Sequence, residues 1–591
     1  FGDIKLNSKA LVDASDSIQL QGRNIFIRDG SKVFMQNRGK TGQGKIEVNA
    51  KQSIELIGTT PDGNLGSAVL TQNLGIGNAA EIAISSPRLL VSQGAGITTQ
   101  TFNFARGGDI NIDASESIQI SELSPINPRL FSQINTKSLN AGAAGDINIS
   151  TKQLSLLGQN ISSANYGTSN GGNVSVATEK LTILDGGILG SATFGIGLGG
   201  DVKVDAKSIE LIGTNFNFFR SSSLSAATIG MGNAGNLTVN TRNLILEDGG
   251  RVDSSTLASG AAGSITVNAT DSIEVKGTVL GSINPSLIIS SANIVDESLI
   301  QFFGSPGILS GDSGNVDINT PILKVHSGGE VTVRNDGTGK GGILNINADS
   351  ILLNSKGKIT ASTQSGGGGN IDLQVKDGLI IRNQSLISAE AGGTGDGGNI
   401  NINSPVIAGV ENSDIIANAL QGDGGNININ TSGLFGLQFR DKLTSESDIT
   451  ASSEFGVNGT VEINNPAIDP SSSLTQLPTD VIDSSQQIAS GCSANQANSF
   501  TVVGKGGLAP NPTDVITNVS LWNDLRDLSV INNGKKTSIQ VYIDSPIKIV
   551  EATGWVVDKQ GNIEFVAHQS DGNSGDNWQK ASNCKGEVKN I

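Results

Sequence analysis

The chain is poor in the residues on which most enzymes and most large protein cores depend. Aromatic residues make up 4% of its 591 residues, and charged residues 16%, against about 25% charged residues in typical proteins. The two histidines, His326 and His568, do not support a Ser-His-Asp triad or a histidine-rich metal site. The apolar residues are chiefly Ile, Leu, Val and Ala. Backbone hydrogen bonds and regular stacking must therefore carry more of the order than aromatic packing does.

The charge balance excludes another class of protein. The net charge is −16, whereas nucleic-acid binding needs clustered Lys and Arg. No apolar run approaches the about 18 to 20 residues that span a bilayer, so we expect no membrane span. The chain starts at Phe1, inside a strand pattern, with neither an initiator Met nor a signal peptide. We therefore expect it to be a fragment or a processed form.

Cysteine is absent from the first 491 residues, and Cys492 and Cys584 follow in the tail. A large chain that avoids cysteine and then places two in its tail is typical of an exported protein with one tail disulfide. Two unrelated buried thiols are the alternative.

What the sequence has in abundance is a repeat. The motif Gly-Gly-Asn-Ile-Asn-Ile at residues 397–402 recurs at 424–429, and related copies are spread over most of the chain. We expect the paired glycines to supply the positive φ of a sharp corner. The Ile-Asn-Ile alternation indicates a strand with one buried face.

About fifteen such copies occur between residues 2 and 461, and the shortest intervals between them are about 27 to 29 residues. Each interval holds three short strand patterns. Frequent glycine excludes helical repeats, and a propeller blade needs four strands and about 40 residues. The sequence therefore predicts an all-β protein: a right-handed parallel β-helix of about fifteen three-stranded coils. Corner residues such as Asn370, Asn399 and Asn426 should stack in a ladder.

Four coils contain insertions after their second strand pattern. The patterns begin at Ser53, Ser117, Ser208 and Ser272, and the extra loops reach to about Asn78, Lys137, Ser223 and Gly307. Because all four leave the coil at the same phase, they should emerge along one edge of the solenoid. Repeat proteins often place such insertions on their binding face.

Bulky side chains gather in these insertions. The candidate binding residues are Phe131, Phe216, Phe218, Phe219, Arg220, Phe302 and Phe303. If exposed, they would contact a polysaccharide or protein ligand. The alternative is that the loops fold back and bury their own aromatic rings against the rod.

Carboxylates also recur at the repeated corner, where Glu81, Asp109 and Asp146 occupy one position in three successive coils. Stacked carboxylates repel each other unless solvent screens them or a cation such as Ca²⁺ bridges them. We expect solvent screening. The sequence predicts no metal site, no cofactor and no catalytic residue.

The repeat fades after Ile463, which bounds the β-helix domain at residues 1–463. Residues 464–486 are rich in Pro, Ser and Asp and indicate a linker. Residues 487–591 hold all three Trp and both Cys, and predict a small β-rich module. Within that module, residues 554–557 should pair with 563–566 as a hairpin.

Several segments resemble the filamentous-haemagglutinin-type exoproteins of cyanobacteria. They are Asn-Ser-Asp-Ile-Ile-Ala-Asn-Ala at 412–419, Gly-Leu-Phe-Gly-Leu at 433–437, Ser-Asp-Ile-Thr-Ala-Ser-Ser at 447–453 and Gln-Ile-Ala-Ser-Gly-Cys at 487–492. The resemblance is specific from about residue 390 to 530 and looser over the earlier coils. Such proteins are the secreted partner of two-partner secretion systems. The resemblance implies export through an outer-membrane β-barrel transporter, by way of an N-terminal secretion domain that this sequence does not contain.

Two functions from different classes remain open at this point. The first is a secreted or surface-displayed adhesin or structural exoprotein, in which a rigid β-helical stalk displays lateral loops. The second is a β-helix polysaccharide lyase or hydrolase, which would need a groove with two or three carboxylates and a basic residue close together.

Overall fold

The structure is a computed structural model, and it describes residues 2–42, 44–215, 217, 220–279, 285–292, 309–465, 554–557 and 563–566. The chain divides into two compact units, Phe1–Asp469 and Pro470–Ile591. All regular structure in the described residues is β-strand.

The strands up to the third insertion are, in chain order, β1 (Ile4–Leu6), β2 (Leu11–Ala14), β3 (Ile18–Arg28), β4 (Lys32–Asn37), β5 (Lys45–Ile57), β6 (Ala68–Asn73), β7 (Glu81–Ser92), β8 (Gly96–Thr101), β9 (Ile110–Ser121), β10 (Gln133–Ser138), β11 (Ile147–Leu157), β12 (Asn160–Asn165), β13 (Val174–Leu184), β14 (Ile188–Thr193), β15 (Val202–Ile212), β16 (Thr214–Asn215) and β17 (Arg220–Ser221). The next are β18 (Ser223–Ser225), β19 (Leu237–Glu247), β20 (Arg251–Asp253), β21 (Ile265–Lys276), β22 (Leu287–Ile289), β23 (Val316–His326), β24 (Glu330–Thr332), β25 (Ile343–Asn354), β26 (Lys358–Thr360), β27 (Asn370–Ile381) and β28 (Leu386–Ser388). The last are β29 (Ile400–Asn403), β30 (Val406–Gly409), β31 (Asp414–Ile416), β32 (Ile427–Asn430), β33 (Gly433–Phe435), β34 (Gln438–Phe439), β35 (Asp448–Thr450), β36 (Val461–Asn464), β37 (Gly554–Val557) and β38 (Ile563–Val566).

Two long parallel sheets run through the first unit. Among the described residues, sheet A has 18 strands and contains the long ones, such as β5, β7 and β9, whereas sheet B has 16 shorter strands, such as β6, β8 and β10. Each strand pairs with its counterpart in the next coil, as in the register Ile147↔Val174 followed by Val174↔Val202. The prediction of an all-β parallel β-helix is confirmed.

One coil combines a long strand of sheet A with a short strand of sheet B. In most coils the first two predicted strand patterns form one continuous strand, as in β13. In the coil of β29 and β30 they form two separate strands. We call the bend from sheet A to sheet B the turn corner, and the return from sheet B to the next long strand the loop corner. These two corners carry nearly all the irregular backbone of the described coils.

Alternation along the strands builds the core. In β11 the side chains of Ile147, Ile149, Leu154 and Leu156 are buried, while the residues between them are mostly exposed. Stacked over successive coils, these positions form one continuous column of Ile, Leu and Val. Each fully buried aliphatic side chain contributes about 1.5 to 3 kcal/mol relative to an exposed one.

The paired glycines of the repeat have a different role from the one expected. A Cβ on Gly398 would lie 1.7 Å from the carbonyl oxygen of Gly369 in the preceding coil, and no positive φ occurs at this glycine. The glycine is required because successive backbones approach too closely for a side chain. The left-handed conformation occurs instead at the turn corner, for example at Asp185 (φ 52°) and Gly186 (φ 79°).

The predicted Asn ladder is present, and its hydrogen bonds explain its composition. The backbone N–H of Asn399 donates to Oδ1 of Asn370 at 2.9 Å, and that of Asn426 donates to Oδ1 of Asn399 at 3.1 Å. The ladder uses the side-chain oxygen as an acceptor, so aspartate serves equally well. Asp201, for example, accepts the N–H of Asn236 at 2.8 Å.

In the second unit, the described residues are the two strands β37 and β38. They pair antiparallel, with Trp555 opposite Phe565 and Val557 opposite Ile563. The hairpin predicted for these residues is confirmed. The linker at 464–486 and the remainder of the tail lie almost wholly outside the described residues.

Candidate functional site

The four insertions all leave the rod at the turn corner, as predicted. They occupy residues 58–67, 122–132, 213–222 and 277–286, each between a long strand and the short strand that follows it. We call these segments together the insertion ridge. The expected extents were too long for the first, the second and the last. Ala68–Asn73 form β6, Gln133–Ser138 form β10 and Leu287–Ile289 form β22, because these residues pair with the short strands of the neighbouring coils.

Each insertion ends in a serine that fastens it to the rod. The hydroxyls of Ser67, Ser132, Ser222 and Ser286 donate to the carbonyl oxygen ten residues earlier, at 2.6 to 2.9 Å. Each hydroxyl also accepts the N–H of a turn-corner glycine in the preceding coil, at 3.0 Å. The sequence analysis missed these serines, although each stands immediately before a short strand.

Neighbouring insertions contact one another across the coils that separate them. Asn127 Nδ2 donates to the carbonyl oxygen of Gly63 at 3.1 Å, and the hydroxyls of Thr59 and Ser124 are 3.3 Å apart. These contacts join the first insertion to the second, so the first two segments of the ridge form one connected surface.

The second and third insertions meet through two of the predicted binding residues. The guanidinium carbon of Arg220 lies 4.9 Å from the ring centroid of Phe131, and its Nη2 donates to Asn160 Oδ1. Burial lowers the pKa of Arg220 from its usual 12.5 to about 10. Phe131 is half-buried, so these two residues follow the fold-back alternative and stabilise the ridge by a cation–π contact.

The other predicted residues of this set lie outside the described residues. They are Phe216, Phe218, Phe219, Phe302 and Phe303, together with Cys492 and Cys584. The hypotheses that the aromatic residues bind a ligand and that the cysteines form a disulfide therefore stay predictions.

Two of the three carboxylates at this loop corner, Asp109 and Asp146, are compensated by an arginine side chain, which corrects the expectation of solvent screening for them. Arg106 Nη2 lies 2.7 Å from Asp109 Oδ1 and 2.8 Å from Asp146 Oδ2. Asp109 also accepts the backbone N–H of Asp146 at 2.7 Å. One arginine thus compensates two stacked carboxylates.

A second candidate site lies at the loop corner of the last coils. This groove, which we call the C-terminal groove, encloses about 940 Å³ between the sheet B side of the rod and the loop that carries Asp441 to Leu443. Its charged lining residues are Arg334, Asp336, Glu390, Asp441, Lys442 and Glu454. Arg334 pairs with Asp336 at 3.0 Å.

Glu390 is a carboxyl group of this groove with a shifted pKa. Burial raises its pKa above the usual 4.5, although the hydroxyl of Ser388 donates to Oε2 at 2.8 Å. Burial likewise raises the pKa of Asp414 in the adjacent coil, and the charge of Asp448 adds to that shift. A carboxyl group with a raised pKa in a groove is the usual arrangement of a general acid.

One buried carboxylate holds the loop that forms the outer wall of the groove. Asp448 is fully buried, pairs with Arg440, and accepts the N–H of Thr444 at 2.5 Å and its hydroxyl at 2.9 Å. Burial pushes the pKa of Asp448 upwards, but these donors outweigh burial and leave the pKa below the usual value. Neither Glu390 nor Asp448 could be singled out from the sequence, because no motif distinguishes them from the other carboxylates of the chain.

Within the described residues, no group of three or more His, Cys, Asp or Glu side chains is arranged to hold a metal ion. The same part of the chain contains no helix with the length and apolarity that a bilayer span requires.

Comparisons of the chain with protein-family models, with curated protein sequences and with solved structures gave no match.

Proposed function

We propose that the chain is a non-enzymatic adhesin or structural exoprotein of the filamentous-haemagglutinin type, in which a rigid rod presents the insertion ridge to a surface. The observation that carries the proposal is the connected ridge itself. Its four insertions leave at one corner and are fastened by equivalent serines, and the first three contact one another in sequence.

The rod gives the ridge fixed spacing. Coils about 4.8 Å apart hold the first and last insertions several coils from each other along one edge. Fixed spacing favours simultaneous contact at several points on a polysaccharide or protein surface, which raises avidity without strengthening any one contact. This is the mechanical advantage that we infer for a displayed, non-catalytic surface.

The proposal extends to how and where the protein acts. By its resemblance, the chain would be exported by two-partner secretion through an outer-membrane β-barrel transporter and act in the medium or at the outer cell surface. The sequence motifs at residues 412–419 and 447–453 support this assignment. Fusing the chain to a two-partner secretion domain and its transporter tests export: the fusion should reach the medium, and retention in the periplasm would contradict the proposal.

The attachment role is tested by replacing the third insertion with a corner that the chain itself provides. In the coil of β13, Asp185-Gly186-Gly187 alone connects the long strand to the short one. We expect a variant with Asp-Gly-Gly in place of residues 213–222 to stay folded, because its strands remain in register. Its attachment to whole cells or to immobilised polysaccharide should fall about tenfold.

The matched control is Lys203→Ala, an exposed residue on the outer face of sheet A. It should leave attachment unchanged. Circular dichroism and thermal unfolding check that both variants fold. Wild-type attachment by the folded loop variant would argue against the ridge as the binding surface.

A second candidate function, a polysaccharide hydrolase or lyase, is favoured by one observation. The C-terminal groove contains Glu390 with a raised pKa, together with Asp336, Glu454 and Arg334. Incubation with neutral and acidic polysaccharides, followed by assays for new reducing ends and unsaturated products, tests it. Products that disappear in Glu390→Gln, but not in the exposed Glu462→Gln, would establish this activity. The absence of any product with the wild type would contradict a hydrolase or lyase function.

A further inference from the structure

On the outer side of sheet B, two half-buried cations have no carboxylate partner among the described residues. They are Lys137, near the end of β10, and Arg220, in the third insertion. Burial lowers the pKa of both groups, and no neighbouring carboxylate offsets that shift. A charge taken out of water is unfavourable unless a counter-ion accompanies it. Two uncompensated cations on one side of the sheet therefore attract an anion.

Other half-buried cations of the chain show the usual arrangement. The remaining half-buried arginines in the described part of the chain each have a carboxylate near them. They are Arg28, Arg251, Arg334 and Arg440. Carboxylates are also in excess, with 55 Asp and Glu against 39 Lys and Arg. The lack of a carboxylate beside Lys137 and Arg220 is therefore a local property of this surface.

The two cations lie at opposite ends of one polar strand face. Gln133, Asn135 and Lys137 share the outer face of β10, because side chains alternate along a strand. Arg220 reaches the other end of that face, since its Nη2 donates to Oδ1 of Asn160, which is the neighbour of Gln133 in the next coil. Four residues separate the two ends, which are therefore about 13 Å apart. A short, extended ligand can bridge them.

Between the two cations lies a hydrogen-bond acceptor that has no donor. Asn135 is 1% exposed, and its Oδ1 has no partner, although its Nδ2 donates to Oε1 of Gln133. In the next two coils the small residues Ser162 and Gly190 occupy the position of Asn135, and they leave space above the sheet. Buried acceptors are normally paired, and a ligand hydroxyl group can supply the donor once the Asn135 amide rotates.

We infer that this surface, which we call the sheet B trough, binds a short acidic oligosaccharide. One carboxylate of the sugar pairs with Arg220, a second pairs with Lys137, and a hydroxyl group donates to Asn135. An acidic sugar combines several carboxylates with many hydroxyl groups, as this set of partners requires. The inference rests on the proposed function, because Arg220 belongs to the insertion ridge, and it narrows the ligand to an acidic sugar chain.

Isothermal titration calorimetry of the full chain with trigalacturonate tests the inference. At low salt we expect a dissociation constant of about 10 to 100 μM, which rises as salt screens the two cations. Lys137→Met should weaken binding about tenfold or more, because one carboxylate loses its partner. The matched control is Lys152→Met, which removes an exposed lysine of sheet A and should leave binding within about twofold of the wild type.

The thermal stability of the free protein gives a second readout. Because Lys137 has no counter-ion, Lys137→Met should raise the melting temperature in the absence of sugar while it weakens binding. A lower melting temperature would mean that Lys137 serves the fold, and it would contradict the inference. Arg220→Gln should also weaken binding about tenfold, and circular dichroism checks that it folds.

Three results would overturn the inference. They are no binding of trigalacturonate by the wild type at about 1 mM, equal binding of maltotriose or of triglutamate, and unchanged binding by Lys137→Met. If the wild type still attaches to cells through the third insertion, these results leave the proposed function intact. If the variant without residues 213–222 attaches like the wild type, while the wild type binds trigalacturonate, the ridge function fails and the sheet B trough stands.

Discussion

The loop corner of the early coils and that of the late coils share a backbone but differ in their outer side chains. Asn73 and Asn335 occupy the same inward position in the two regions, and both donate to carbonyl oxygens of the corner loop, Gly77 at 2.8 Å and Lys340 at 2.9 Å. Outside, the early coils carry mostly Phe, Leu, Ile and Met, whereas the late coils carry mostly Asp, Gln, Gly and Glu, with Phe455 exposed in the last coil. Inward residues thus specify the corner, and outward residues are left to determine what the corner contacts.

The largest loss of stability is expected at the paired glycines of the loop corner, where the backbones of successive coils lie close together. These glycines test whether the early and late coils share one backbone packing. A Cβ at Gly172 in an early coil would lie 1.9 Å from the carbonyl oxygen of Gly145, and one at Gly398 in a late coil would lie 1.7 Å from that of Gly369. Gly172→Ala and Gly398→Ala should each lower the free energy of unfolding by about 3 kcal/mol, because backbone must move. Urea unfolding measures this.

The control for the glycine pair is Gly39→Ala, where the nearest heavy atom to the added Cβ is Asn37 Oδ1 at 3.5 Å. It should change stability by less than about 0.5 kcal/mol. A large loss at one stacking glycine and none at the other would show that the two regions do not share their packing.

The next effect is expected at the buried corner asparagines. Asn335 donates to Gly311 O and Lys340 O and accepts the N–H of Gly337 at 2.9 Å, so Asn335→Ala leaves several buried groups without partners. We expect a loss of about 2 to 3 kcal/mol there, and about 1 to 2 kcal/mol for Asn73→Ala, which loses fewer bonds. Thermal unfolding compares them with Asn103→Ala, since Asn103 is only half-buried and donates one hydrogen bond, to Leu74 O at 3.2 Å. Equal losses in all three variants would contradict the shared role.

A smaller loss of stability is expected where the ladder at the loop corner contains the carboxylates Asp109 and Asp146 instead of asparagines. Arg106→Ala removes the bridge between Asp109 and Asp146 and should cost about 0.5 to 1 kcal/mol, since all three groups are partly solvated. The loss should shrink at high salt as screening reduces the carboxylate repulsion. A cost that does not change with salt would mean that Arg106 acts by packing rather than by charge.

The smallest effect is expected at Glu390, where the sign of the change in melting temperature is the test. Burial raises its folded-state pKa above the usual 4.5, so the folded state holds this proton more tightly than the unfolded state. Stability from this group is complete below pH about 4.5 and is lost as the pH rises through the folded pKa. Glu390→Gln should therefore match the wild type in acid and melt at a slightly higher temperature at neutral pH. A melting temperature of Glu390→Gln below that of the wild type at neutral pH would contradict this prediction.

The buried Ile and Val positions, the corner ladder, the phase of the insertions and the pairing of residues 554–557 with 563–566 could all be predicted from the sequence. These follow from local alternation and from a spacing that repeats along the chain, both of which a single sequence displays. Only the tertiary structure decided that Gly398 is needed for close approach, that Arg106 joins two coils, that Arg220 packs on Phe131, and that Glu390 is buried in a groove. Each of these depends on residues 27 or more positions apart, and stacking the coils brings such residues together without leaving a local pattern in the sequence.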